Sequence, residues 1–329
     1  MTVWDARPDV FPDGLSGFFE KTKWPQMLHN RMWATDSNYS KANGGQYTFV
    51  DDGSEVLVPN DQRFWDDLIS NKTKTGMFCY EQDWLDAEMD KSRTLGESAT
   101  MARTWMLQMS HGCEKSNVTI QLCMSHVRQI LQSVEMPAAT NCRASGDYIH
   151  PGPGGGHQWD IGTTSILAHA VGLAPSKDNY WTNETEAGEG YGKWGYEPHS
   201  RLQSAVLSFS AGPVAPADKI GSSDVELIMK ACDASGRLLS PDKPATKSDA
   251  SFLRQAFGKE GADGQLWTTH ATVNGSRYGY VLVPALESNY SIGVSELGFN
   301  STAKLTAIRP LDTASNGGKL SSNLPLLAF

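Results

Sequence analysis

IQLCMSHVRQILQSVEMPAATNCRASGDY, residues 120–148, decides the fold. VTIQLCMS (118–125), which overlaps its start, is rich in β-branched and apolar residues and predicts a strand. HVRQILQSVEM (126–136) predicts a short helix. AATNCRASGDY (138–148) predicts a second strand, ending on Arg143 and Asp147. A strand, a helix and a strand in so short a run form the unit of a parallel sheet. The same alternation fills the first 260 residues. MLHNRMWA (27–34) and GMFCYEQDWL (76–85) read as strands, the second running into an acidic loop. DQRFWDDLISN (61–71), with Asp61 as N-cap, and SATMARTWMLQMSHGCEKS (98–116) read as helices. TTSILAHAVGL (163–173), RLQSAVLSFSA (201–211) and DVELIMKAC (224–232) are further helices. Strands are expected near APSKDNYW (174–181) and in PVAPADK (213–219).

Polar residues gather where these strands end: His29-Asn30-Arg31, Glu81-Gln82-Asp83, Ser125-His126, Arg143 with Asp147, and Asp178. In a (β/α)8 TIM-type barrel such ends meet on one face. A doubly wound sheet would carry a Gly-rich first turn. PGPGGG (151–156) does not have the G-x-G-x-x-G spacing, so a phosphate cradle is not expected. After about residue 260 the pattern changes. QLWTTHATV, SRYGYVLVPAL, NYSIGVSEL and AKLTAIRPL are strand-length runs, and NGS (274–276) joins the first two as a hairpin turn would. The expected organisation is an α/β barrel over 1–260 and a small antiparallel β-sandwich over 261–329.

Composition narrows the partners. The chain carries a net charge of −9 and no basic block, so nucleic acid is not an expected partner. No run of 18 apolar residues occurs, so no membrane span is expected. Ten tryptophans and ten tyrosines supply either a core or the aromatic walls of a sugar cleft. The five cysteines form no C-x-x-C pair, which argues against structural zinc; Cys79, Cys123 and Cys142 lie in apolar runs and read as buried thiols. Seven N-x-S/T sequons, at Asn38, Asn71, Asn117, Asn183, Asn274, Asn289 and Asn300, exceed the roughly two or three of chance. They point to a secreted or lysosomal protein, although MTVWDARPDVFP is not a signal peptide.

Asp83 and Asp147 each end a predicted strand. Two carboxylates about 5 Å apart over one ring suit a retaining glycosidase, one attacking the anomeric carbon and the other protonating the leaving oxygen. The competing reading has both acids capping helices or pairing with surface lysines. Trp84 is either a sugar platform or wall packing, and Asp178 either a rim residue or an N-cap. His126, His150, His157 and His199 fit no H-E-x-x-H spacing, so no metal is expected; they read as rim residues that bond substrate or backbone. Ser125 and Ser145 lack a G-x-S-x-G elbow.

Residues 120–148 together resemble the barrel segment of raffinose synthases and alkaline α-galactosidases, where a CMSH-type strand is followed by RASDD. FPDGL (11–15) resembles the segment before their third strand, and AVLSFSAGPVAPADKIGSSDVELIMKACDASGRLLSPDKPATKSD (205–249) their GGCPIYVSDKPGKHD region with the stretch just after it. The resemblance is collinear over most of residues 4–255. It implies a melibiase-like glycoside hydrolase, a (β/α)8 barrel with a C-terminal β-domain. It begins after the family's second barrel strand, so a barrel short of its first strands is the expectation. It further implies Asp83 as nucleophile, Asp147 as acid/base and Arg143 as a substrate contact, with Glu81 at the position of a substrate-binding lysine; Trp84, His126 and Asp178 are candidate substrate contacts from their own places at the strand ends. No cofactor is implied; the partner is an oligosaccharide or glycoconjugate, hydrolysed or transferred. A non-catalytic or degenerate carbohydrate-binding relative is the alternative. Glu81 stands where the family has lysine, and Gly146 replaces the first Asp of RASDD; the first departure puts galactose specificity in question.

Overall fold

Five short strands, separated along the chain by helices and by one small antiparallel sheet, stack side by side in parallel. The computed structural model describes residues 1–148, 159–183, 197–258 and 262–300. It comprises two units, Met1–Ala144 with Leu167–Ser176, and Ser145–Ile166 with Lys177–Phe329.

Up to Arg143 the chain runs α1 (Gly14–Thr22), β1 (Gln26–Asn30), β2 (Trp33–Ala34), β3 (Phe49–Val50), β4 (Val56–Pro59), α2 (Gln62–Thr73), β5 (Met77–Gln82), α3 (Leu85–Lys91), α4 (Arg93–Glu97), α5 (Ala99–Lys115), β6 (Thr119–Leu122), α6 (Val127–Gln132) and β7 (Ala139–Arg143). Then come α7 (Ile161–Ala170) and β8 (Ala174–Ser176). Five strands form one parallel sheet in the order β1-β5-β6-β7-β8. β2, β4 and β3 make a separate small antiparallel sheet, so the segment expected as one strand over 27–34 divides between two sheets.

Side-chain alternation gives the large sheet two unlike faces. Tyr80, Ile120, Leu122 and Cys142 are buried in one apolar core with Trp65, Trp105 and Met109 of the covering helices. α5 contributes Ala102, Trp105, Met106, Met109 and Cys113 at spacings of three and four, one stripe of a helix. Burying each such large side chain is worth roughly 1.5–3 kcal/mol. Caps set the helix starts: the Asp61 carboxylate accepts from Arg63 N–H, and the Ser98 hydroxyl from Met101 N–H. The stretch expected as an acidic loop after Asp83 is instead two helices, α3 and α4. Trp84 turns left-handed (φ 58°) to start the first, and the Ser92 hydroxyl caps the second by accepting from Leu95 N–H.

The second unit contains α8 (Ser200–Ser208), α9 (Val225–Met229), β9 (Thr246–Lys247), α10 (Asp249–Phe257), β10 (Gly264–Val273) and β11 (Ser276–Leu286). β11, β10 and β9 form an antiparallel sheet. The hairpin turn is the expected Asn274-Gly275, with φ of 50° and 77°, as a two-residue hairpin turn requires. NYSIGVSEL is not a strand. It forms a 3-10 turn (Val294–Leu297) because the Glu296 carboxylate accepts from Gly293 N–H and from the Tyr290 hydroxyl, both at 2.7 Å. PVAPADK contributes an isolated bridge between Tyr180 and Pro216. AKLTAIRPL, PGPGGG, His150 and His157 lie outside the described residues. All five cysteines are unpaired thiols, and Cys79, Cys113, Cys123 and Cys142 are buried.

Candidate active site

The polar face of the parallel sheet is built in rows. Strand register sets His29 beside Glu81, Glu81 beside Gln121, and Gln121 beside Asn141. A relay fixes this row: Asn141 Nδ2 donates to Gln121 Oε1, and Gln121 Nε2 donates to Glu81 Oε1 at 3.0 Å. Gln121 and Asn141 are buried, so each needs such a partner. Two residues further along each strand, on the same face, come Arg31, Asp83, Cys123 and Arg143.

Asp83 is the centre of that second row and is only 7% exposed. Its backbone N–H donates to Asn30 O at 2.9 Å, which locks the end of β5 to β1. The carboxylate Oδ1 accepts from Trp84 N–H at 2.8 Å. Oδ2 lies 2.8 Å from His29 Nε2 and 3.6 Å from Arg31 Nε. Burial pushes this carboxyl up, but hydrogen bonds from His29, the Cys123 thiol and Trp84 N–H outweigh it, and its pKa falls to about 2. Asp83 is therefore a buried carboxylate that stays ionised at neutral pH. Arg31 stacks on Trp84, its guanidinium carbon 4.6 Å from the ring centroid. The Cys123 thiol, raised far above its usual value by burial, feels Arg143 and Asp83.

Asp178 and Asp147 belong to the second unit. Asp178 Oδ2 accepts from Tyr148 N–H at 2.7 Å, and Asp178 N–H donates to Ser145 Oγ at 2.9 Å. Asp178 thus clamps both ends of the turn that carries half-buried Asp147. The Tyr148 hydroxyl donates to buried Glu197, whose other oxygen accepts from His199 N–H at 2.8 Å.

The fold has known counterparts. No protein-family model matches the chain, and neither does any curated protein. Among solved structures it is similar to a GH27 β-L-arabinopyranosidase from Geobacillus stearothermophilus. The match covers 86% of this chain and 67% of that one, at 11% identity and a TM-score of 0.58. A variant of that enzyme in complex with arabinose matches with the same score, over 68% of its length. The α-galactosidase of Thermus thermophilus in complex with stachyose is 14% identical over 68% of this chain and 52% of its own, with a TM-score of 0.44. The chain has the GH27 glycosidase fold. The five-stranded parallel sheet with its helices is part of the (β/α) barrel of that fold, and the antiparallel sheet is its C-terminal β-domain.

Within the barrel part of this GH27 fold, Glu81, Asp83, Trp84 and Arg143 come together at neighbouring strand ends. His126, on the loop before α6, is exposed, and its Nε2 lies 3.3 Å from Asp90 Oδ1. Sequence reasoning assigned no role to His29 or Cys123, although both touch the Asp83 carboxylate. Their signal was period two: 27, 29, 31 and 119, 121, 123 fall on the same sheet face as 81 and 83.

Proposed function

We propose that this chain is a retaining α-glycosidase of galactosidase type that acts on an α-linked oligosaccharide or glycoconjugate. One observation carries the reading: a buried strand-end carboxylate, Asp83, is held ionised by His29, Cys123 and Trp84 N–H. A glycosidase nucleophile needs that state. Asp83 attacks the anomeric carbon, and the bond to the leaving oxygen breaks as that oxygen takes a proton from Asp147. Asp147 then removes a proton from water, or from an acceptor sugar, which displaces Asp83 and restores both carboxyl groups. The role of Asp147 rests on its place in the family motif. Arg143, Glu81, Trp84, His126 and Asp178 are the proposed sugar contacts.

Aryl α-glycosides test this. Wild type is expected to turn over at least one, Asp83→Asn to lose at least about 10³-fold in kcat, and a 2-fluoro glycoside to label Asp83 covalently. Sugar-dependent tryptophan fluorescence with no turnover of any aryl glycoside would instead make the chain a carbohydrate-binding relative. We place the protein in the secretory pathway. Asn38, Asn71, Asn117, Asn274, Asn289 and Asn300 are all exposed, as glycan attachment requires. A mass shift on treatment of the native protein with an N-glycan-releasing amidase checks this.

A further inference from the structure

We propose that His29 is the positioning residue of Asp83, fixing the rotation of the carboxylate and keeping the free carboxyl group ionised before attack and after release of the sugar. The inference rests on the glycosidase reading for its mechanistic meaning and on geometry for its substance. His29 Nε2 meets Asp83 Oδ2 at 2.8 Å while Trp84 N–H holds Oδ1 at 2.8 Å, so each oxygen has its own donor. Arg31 Nε, at 3.6 Å, adds charge but lies beyond hydrogen-bond distance. Two donors at opposite oxygens stop the carboxylate from turning; one does not.

The main chain around His29 is fixed from two directions. Trp4 Nε1 donates to His29 O at 2.8 Å, and Asp83 N–H donates to Asn30 O at 2.9 Å, so ring and carboxylate are carried on tied segments. His29 also sits directly across the strand pair from Glu81. The charged groups around its ring are Asp83, Arg31 and Glu81 at the strand ends. Asp5, Arg7 and Lys72 line a groove of about 270 Å³ that includes His29.

The proton stays on His29 throughout. When one Asp83 oxygen bonds the anomeric carbon, the group becomes a neutral ester and the hydrogen bond from His29 loses its charge assistance. When water or an acceptor displaces Asp83, the electron pair returns to the carboxylate and the full hydrogen bond reforms. His29 therefore favours release of the sugar as well as ionisation before attack.

The test compares His29→Ala and His29→Gln with wild type. In His29→Ala the acidic limb of kcat/KM should move up by about 1–3 pH units, with a loss of about 10- to 100-fold at the optimum. His29→Gln keeps a side-chain N–H donor and should recover most of that loss. Thermal melts of each variant show that it is folded. Coincident acidic limbs for wild type and His29→Ala overturn the proposal, as does His29→Gln behaving like His29→Ala. If wild type hydrolyses no glycoside, the glycosidase reading fails by itself. The proposal is then read from the 13C titration of the Asp83 carboxyl, assigned with Asp83→Asn. A rise of one unit or more in His29→Ala supports it, and an unchanged titration overturns it.

Discussion

Lys177 should be a net cost to stability. It directly follows β8, is 2% exposed, and its Nζ has no hydrogen-bond partner among the described residues. The amine lies 5.0 Å from the Tyr148 ring centroid and 5.7 Å from that of Trp159. Burial lowers its pKa from 10.5 to about 8, against the opposing pull of Asp178 and Glu197. Because the folded value lies below the unfolded one, the unfolded chain binds more protons between pH 8 and 10.5. Stability therefore rises with pH across that window, and the full penalty stands below it. The displacement amounts to about 3 kcal/mol at pH 7. Replacing Lys177 with methionine removes the penalty and keeps the unbranched stem. It also loses the attraction of the two rings, about 1–2 kcal/mol. The net expectation is a gain of about 1–2 kcal/mol for Lys177→Met in urea unfolding at pH 7, shrinking as pH rises to 10. A variant less stable than wild type at pH 7, with the same difference at pH 10, would refute the reasoning.

Glu88 presents the acidic counterpart. It is 1% exposed, its Oε2 accepts from Gln82 Nε2 at 3.3 Å, and burial raises its pKa well above the usual 4.5. A raised carboxyl keeps its proton in the folded state, so stability falls by about 1.4 kcal/mol per pH unit above 4.5 until the folded value is reached. Glu88→Gln, which does not titrate, should be more stable than wild type at pH 7 and lose this slope in urea midpoints from pH 4 to 8; equal slopes would count against it. Gly112 in α5 sits where an added Cβ would lie 2.9 Å from the Trp65 carbonyl carbon and oxygen. Alanine would gain about 1 kcal/mol in helix propensity, but overpacking costs about 1–3 kcal/mol. We expect Gly112→Ala to melt lower than wild type; a higher Tm would show that α2 and α5 yield easily.

The sequence was most legible where one physical signal acts alone. Helix α5 announced itself through the spacing of Trp105 and Met109, α2 through the Asp61 cap, and the β10–β11 hairpin through Asn274-Gly275. Signals that competed were misread. NYSIGVSEL alternates like a strand, yet the Glu296 carboxylate reaches back to Gly293 N–H and closes a turn, a local side-chain bond that hydropathy does not register. The residues after Asp83 looked like an acidic loop because nothing in Trp84 signals a left-handed start. In the candidate site, Asp83 stood out through its predicted strand-end position and the family resemblance. His29 and Cys123 went unassigned because their importance lies in cross-strand register, which one strand read alone does not show.

The neighbourhood of Asp83 departs from local rules that the rest of its unit obeys. Barrel interiors are ordinarily filled by branched apolar side chains, yet this sheet carries His29, Glu81, Gln121 and Asn141 in one row and Arg31, Asp83, Cys123 and Arg143 in the next. Trp84 adopts a left-handed backbone that costs an L-residue roughly 1–2 kcal/mol, and by doing so it aims its N–H at Asp83 Oδ1. On the opposite face the same strands present Tyr80, Ile120, Leu122 and Cys142 to an aromatic-rich helical layer. Packing alone would have favoured apolar residues on both faces. Of these departures, His29, Cys123 and Trp84 N–H bond one carboxylate, Asp83, and hold it ionised, and sequences break local rules where a site has to be held in place. That asymmetry between the two faces, more than any single distance, makes Asp83 the residue to mutate first.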